Sequence, residues 1–199
     1  MIGAGPFGPF SAAPRSAPRA GSLLVAHPSL VDPNFRETVV LLLNHSDEGS
    51  LGLVLTRPLV SDVGDVLPAW QDHVSEPPHL FQGGPVGLDS AIGLARLPGD
   101  DSEPPGLKRL TGSIAVVDLD APPEIVAPAA AGLRIYAGHS GWGPGQLEDE
   151  LDEDAWFVVS SEAGDAFRAE TDTLWRDVLL RQTSTVALVA TFRPDAEVN

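Results

Sequence analysis

Short apolar runs, broken by polar stretches containing proline and glycine, recur along most of this chain and predict many short strands with few helices. Ser22–Ala26 reads as a first apolar strand. The connection His27-Pro28-Ser29-Leu30-Val31-Asp32-Pro33-Asn34 follows, where the residue before each proline is pushed out of helical conformation. Residues 35–45 carry a β-branched and leucine run and predict a strand buried on both faces. Residues 46–50 form a turn around Gly49, and 51–56 a third strand, so these two strands make a hairpin. Ser61 or Asp62 caps a helix through about Val74, with Val63, Val66, Leu67 and Trp70 at helical spacing and Pro68 straining it. Further strands are predicted at His79–Gln82, 91–97, 114–119 and 133–137, with an exposed polar loop over 98–106 and a short helix over 122–131. Pro144 suits the first turn of a helix running to about residue 154, with Leu147 and Leu151 inward. Trp156–Ser160 returns as a strand, 172–182 forms a helix with Leu174, Trp175, Val178 and Leu179 on one face, and 186–192 is extended. Strands interleaved irregularly with few helices imply an α+β domain rather than a regular βαβ series.

At 199 residues the chain suits one domain over residues 21–199 with a substantial core. Residues 1–20, rich in Gly, Ala and Pro, are expected to be a disordered leader. That leader lacks the apolar segment of an export signal, and no apolar run approaches the roughly 20 residues that span a bilayer, so a cytoplasmic location is expected. Without cysteine there is no disulfide, thiolate nucleophile or sulfur-ligated metal. Charge narrows the picture further. Twelve basic against 28 acidic residues give a formal net charge of −16, and the arginines are scattered. Nucleic-acid affinity needs clustered Lys or Arg on phosphate, so neither direct nucleic-acid contact nor attachment to anionic membrane is expected. The acidity favours solubility and self-repulsion.

The most constrained segment is Gly138-His139-Ser140-Gly141-Trp142-Gly143-Pro144-Gly145-Gln146-Leu147-Glu148, where four glycines demand special backbone angles around one large ring. Together with other blocks it resembles the AlgH/YqgE family of bacterial proteins. The resemblance runs from about Gly21 to the C-terminus. It rests on Pro28, Leu30, Asp32 and Phe35; on His45, Gly49, Gly52, Arg57 and Pro58; and on Gly83-Gly84-Pro85-Val86. Gly138, Gly141-Trp142, Gly145-Gln146-Leu147-Glu148 and Trp156 complete it. Ala187-Leu188-Val189-Ala190-Thr191-Phe192 looks like the actinobacterial branch. His27 departs from the common pattern, which often has methionine there, and His139-Ser140 stands where an aromatic and an alanine are usual. The resemblance implies an α+β fold with a bifurcated mixed sheet, partly closed into a small barrel and surrounded by helices. Some members of that family have been called transcriptional regulators; no activity, cofactor or catalytic residue is established for it, so none carries over.

Gly138-His139-Ser140-Gly141-Trp142 also approximates the nucleophile elbow Gly-x-Ser-x-Gly, with a strand before and a helix after. Trp142 occupies the last glycine of that motif, however, and no histidine follows Ser140; a tight turn packing Trp142 is the competing reading. Gly83-Gly84-Pro85-Val86 offers backbone N–H groups to an anion, against a purely structural turn, and no phosphate loop of Gly-Lys-Ser/Thr type exists. The carboxylates from Glu148 to Asp154 lack the spacing of a calcium loop and read as a solvated helix face, with Glu148 nearest the glycines. His45, with Asp32, Arg36 and Arg57 near in the chain, either packs structurally or faces a shared polar pocket. His73 and His79 read as surface residues.

These readings lead to a non-catalytic regulatory or adaptor protein holding a small ligand or protein partner, with neither cofactor nor metal. Its expected working rim combines the glycine–tryptophan turn (Gly138, Gly141, Trp142, Gln146, Glu148), the loop at Gly83 and Gly84, and the polar residues His45 and Arg57. The alternatives are a hydrolase using Ser140 or a His45–carboxylate pair, and a transcriptional regulator without strong direct DNA contact.

Overall fold

One long strand organises the molecule. In the computed structural model, which describes residues 16–99, 103–182 and 186–190, strand β9 comes ninth in chain order and spans Gly132–Trp142. It continues straight through the glycine-rich segment. Along one edge β9 pairs antiparallel with β6 (Val86–Arg96). Its other edge is shared. Tyr136 and Ala137 pair in parallel with β5 (His79–Gln82), and Ser140–Trp142 pair antiparallel with β3 (Gly49–Val54). The sheet therefore forks at Gly138, whose φ of +67° suits glycine and whose Cβ would stand 2.8 Å from the Val86 carbonyl oxygen.

From the fork, β3 leads outward through β2 (Val39–Ser46) and β1 (Ser22–Ala26) to β10 (Trp156–Ser160). On the other side β6 leads to β8 (Ile114–Val117) and β7 (Leu107–Thr111), and β4 (Pro58–Asp62) hangs on β5. The described residues form a single α+β domain with a curled, largely antiparallel half-barrel sheet. Four short helices accompany it: α1 (Pro123–Val126), α2 (Gln146–Asp152), α3 (Leu174–Leu180) and α4 (Val186–Val189). Among the described residues these helices are few and short, and an enclosing layer of helices is not seen.

Alternation along β9 serves two cores at once. Leu133 and Ile135 face a cluster with Val63, Trp70, Leu80, Leu97 and Val117. Tyr136 joins the larger cluster built from β1, β2, β3, Trp142, Trp156 and the inner face of α3. Arg134, buried beside Tyr136, lies 4.1 Å from the centre of the Phe81 ring and donates to the Ala166 and Arg168 carbonyls. It thereby ties the 165–168 segment to the sheet.

Several elements differ from the sequence-based expectation. The helix over 61–74 is instead β4 followed by two 3-10 helices, Val63–Asp65 and Pro68–His73, because Pro68 cannot donate into a continuous helix. Residues 122–131 divide similarly into α1 and a 3-10 turn, Ala127–Ala129, that contains Pro128. The second strand begins at Val39, because 32–38 form a compact turn in which the Phe35 and Arg36 N–H groups both bond the Asp32 carbonyl. Strand β7 was not anticipated. The expected extended tail is helical at α4, whose Val189 packs in the larger core; Phe192 and residues 1–15 of the expected leader lie outside the described residues. Strand β1, the β2–β3 hairpin, β5, β10 and α3 stand where their patterns placed them.

Candidate functional site

The three segments expected to form a rim do meet, but as packed interior. Gly83 sits in the fork: its N–H donates to the Ala137 carbonyl, and its own carbonyl accepts the Val54 N–H. A Cβ on Gly83 would collide with the Gly138 carbonyl oxygen, and one on Gly84 with the His139 backbone. Ser140 is fully buried in β9, and its hydroxyl donates to the Gly83 carbonyl at 3.1 Å. The nucleophile-elbow reading thus fails on geometry: the serine lies within a strand, without access and with its proton engaged.

Trp142 is only 5% exposed. Its ring stacks on Phe35 and meets Trp156 edge-on, both at 6.1 Å between centroids. Glu150 of α2 accepts the indole N–H of Trp142 at 2.9 Å and that of Trp156 at 2.8 Å. Gln146 reinforces the arrangement, accepting the Gly143 N–H and donating to the other Glu150 oxygen. One member of the expected solvated acidic face is therefore the anchor of the aromatic cluster. Gly145, at φ +76°, turns the chain from Pro144 into α2. Gly141 is exposed and crowds nothing. The segment is a folding device.

At the far end of the hairpin, His45 Nδ1 lies 2.8 Å from Ser50 Oγ, and Nε2 lies 3.5 Å from a Glu148 oxygen. The residue types match a nucleophile, base and acid, yet Ser50 is only 7% exposed. The three side chains link β2, β3 and α2. His45 pairs with Ser50 near the start of β3 and Arg57 lies beyond its other end, and neither hollow that Arg57 lines includes His45. His79, expected at the surface, has its side chain 38% exposed and pairs with Asp62 at 2.5 Å. Among the described residues no group of three or more His, Asp or Glu could hold a metal ion.

Two polar hollows border Arg57. On one side of its side chain a shallow hollow of about 50 Å³ is lined by Pro33, Asn34, Val54, Gln82, Gly84 and Pro85. On the other, a cavity of about 150 Å³ is lined by Glu37, Thr56, Thr171, Asp172 and Trp175. Three supports shape these walls. Arg57 Nη2 donates to the Arg36 carbonyl at 2.8 Å, and Trp175 Nε1 donates to the Ala26 carbonyl at 2.8 Å. Glu37 is held at φ +55°, an uncommon conformation for a residue with a side chain, by the turn in which Thr38 Oγ1 donates to the Phe35 carbonyl. Thr56 is 8% exposed, and its hydroxyl has no hydrogen-bond partner in the structure. Burying a hydroxyl without a partner is costly, and the Thr56 oxygen is itself closed off from the cavity that the residue borders.

Of the sequence-predicted candidates, Arg57 and Gly84 line these hollows; His45, Gly83, Gly138, Gly141, Trp142, Gln146 and Glu148 do not. The sequence reading missed Glu37, Thr56 and Asp172. Thr56 adjoins Arg57 at the end of a predicted strand, a position from which a side chain can face a sheet edge, and that signal was available. Nothing in the residue type of Glu37 announces a left-handed backbone.

The AlgH-like family profile (DUF179) matches residues 23–187. The UPF0301 protein SCO2948 of Streptomyces coelicolor is 57% identical over 182 residues, covering 90% of this chain and 94% of that one. A UPF0301 protein of Mycobacterium tuberculosis is 44% identical over 183 residues, covering 91% of each chain. Among solved structures, DIP2367 of Corynebacterium diphtheriae superposes with a TM-score of 0.86 at 33% identity, over 92% of this chain and 97% of that one. The AlgH protein of Pseudomonas aeruginosa has the same fold, with a TM-score of 0.64 at 23% identity over 92% and 100% of the two chains. The chain belongs to the AlgH-like, UPF0301 family, with actinobacterial relatives.

Proposed function

We propose that the protein is a non-catalytic regulatory or adaptor protein of the cytoplasm that works by holding a small ligand in the Arg57 cleft. The observation that carries this reading is a concavity bordered by a guanidinium, Arg57, whose one side-chain hydrogen bond among the described residues is to a main-chain carbonyl, with the exposed carboxylates of Glu37 and Asp172 on the same lining. Binding sites gather a few convergent polar groups in a concavity, and backbone strain of the Glu37 kind tends to cluster at them. The lining lacks a nucleophile paired with a base, which favours holding over bond breaking. No helix among the described residues is long and apolar enough to cross a membrane. With a net charge of −16, any effect on transcription would run through a partner rather than through DNA phosphates.

The test is to denature the natively purified protein and identify what it releases by mass spectrometry. Wild type should yield a small molecule in stoichiometric amount, and Arg57→Gln should yield none. Equal loading of the two proteins would overturn the assignment of the cleft.

A further inference from the structure

We infer that the outer edge of strand β10 receives an extended segment of a partner protein, which joins the sheet as one more strand and sets lysine or arginine against the acidic end of α2. This surface is independent of the Arg57 cleft. Strand β10 stands at one end of the strand order, and among the described residues only β1 pairs with it. The hydrogen bonds decide which groups it turns outward. The His27 N–H donates to the Ala155 carbonyl, so in the antiparallel ladder Phe157 and Val159 bond β1, while Trp156, Val158 and Ser160 direct their main-chain groups away. Arg181 agrees with this alternation, since its Nη2 donates to the outward Ser160 carbonyl at 3.0 Å. Trp156 and Val158 have no strand opposite them on that side among the described residues.

Among the described residues three strands form edges of the sheet, and two of them are blunted. Strand β7 carries Lys108 and Arg109 and a register shift against β8; β4 opens on Pro58, closes on Asp62 and is irregular against β5. Charge, proline and irregular register are the usual devices that keep an edge from pairing. Strand β10 has none of them. Its Trp-Phe-Val-Val-Ser is uncharged, consists mostly of residues that favour strands, and keeps an unbroken register with β1. Phe157 and Val158 are half-buried and Ser160 is exposed, so the strand is not enclosed.

In strand addition the main chain supplies affinity and the flanking chemistry selects the partner. Asp152, Glu153 and Asp154 stand exposed immediately before β10, and Asp154 turns the chain into it at φ +58°. No lysine or arginine occurs in the sequence between Arg134 and Arg168. At the other end of the strand Arg181 is already held by Asp165 at 2.7 Å, with Glu162 at 3.6 Å. Two copies of this chain, each at a net charge of −16, repel one another, whereas a basic segment is drawn to this edge.

The experiment titrates the full-length protein, followed by its amide NMR spectrum, with short blocked peptides that alternate threonine with valine, isoleucine or tyrosine and end in lysines. Two controls are the same peptides with glutamate for lysine, and the lysine peptides N-methylated at consecutive central residues, so that neither edge can donate. At least one lysine peptide should bind saturably, with shifts centred on residues 156–160. Both control sets should bind at least about tenfold more weakly. Val158→Pro removes an outward N–H without touching the β1 ladder and should weaken the lysine peptide by about tenfold or more; the N-methylated peptides make the same test without altering the protein. Asp152→Asn combined with Glu153→Gln should weaken it by about fivefold and flatten its dependence on salt. Arg57→Gln should bind it as wild type does. Equal binding of the N-methylated peptides, or silence across the panel, would overturn pairing at this edge. Equal binding of the glutamate peptides would overturn the basic partner. A wild-type dimer that Val158→Pro converts to monomer would give the edge to a second copy and overturn the inference as well.

Discussion

Two indole N–H groups end on one carboxylate, and that sharing sets the cost of altering the aromatic cluster. Trp142 and Trp156 are both nearly buried, so removing their acceptor strands two donors without water. Glu150→Ala should lower unfolding free energy by about 2–4 kcal/mol, and Glu150→Gln, which keeps one acceptor oxygen, by distinctly less. Urea denaturation measures both; equal stabilities for wild type and Glu150→Ala would contradict this role. His27 gives a pH-dependent counterpart. Its ring packs on Phe157 at 5.2 Å, and Nδ1 accepts the Ser29 N–H. Burial lowers its pKa from the ordinary 6.5, with Asp154 partly opposing. The sign follows: as pH falls through 6.5 the unfolded chain takes up a proton that the folded one resists, so this contribution is intact above 6.5 and lost in more acid solution. Relative to wild type, His27→Gln should be less destabilised between pH 7.5 and 5.5, which melts across about that range would show. Parallel pH profiles would exclude the effect.

At the scale of elements, the glycines of β9 are not equivalent. Gly138 occupies the left-handed region, with carbonyl oxygens of Val86 and Gly84 at 2.8 and 3.0 Å from a would-be Cβ. Gly141 has nothing closer than 4.0 Å. Gly138→Ala should therefore cost about 2 kcal/mol or more, while Gly141→Ala stays within about 0.5 kcal/mol of wild type. Comparable losses at both sites would contradict the fork as the reason for the glycine. The same segment shows what a sequence can and cannot tell. Apolar runs gave away β1, the hairpin, β5 and α3, because burial follows pattern directly. Residues 138–142 read as a turn because glycine clusters usually mark one. Here they let three strands crowd together, a requirement set by partners far along the chain. Likewise Pro68 and Pro128 weakened helices that spacing alone predicts, and α4 took its helical form from packing near α3.

For the whole molecule, the resemblance carried by scattered glycines, prolines and tryptophans identified the family correctly, since those residues are the joints of the fold. Several of the same residues, expected to form a working rim, are buried in the fork and the aromatic cluster. Joints are buried, and what a fold must keep fixed is not where it must stay open. Arg57 and Gly84 are the expected rim residues that border an open hollow. Glu37, Thr56 and Asp172 come together only through the turn at 32–38 and the approach of residues 171–175, which no local pattern encodes.

The central claim divides labour between two places, and one comparison addresses it directly. Wild type, Trp142→Phe and Arg57→Gln, each first freed of co-purified small molecules by unfolding, dialysis and refolding, are melted with and without the deproteinised small-molecule extract of the expression host. Trp142→Phe should melt lower by the equivalent of about 2 kcal/mol, through its lost bond to Glu150, yet keep the full upward shift with extract. Arg57→Gln should melt close to wild type alone and show no shift. A shift retained by Arg57→Gln and lost by Trp142→Phe would contradict the account and return the binding role to the buried tryptophan.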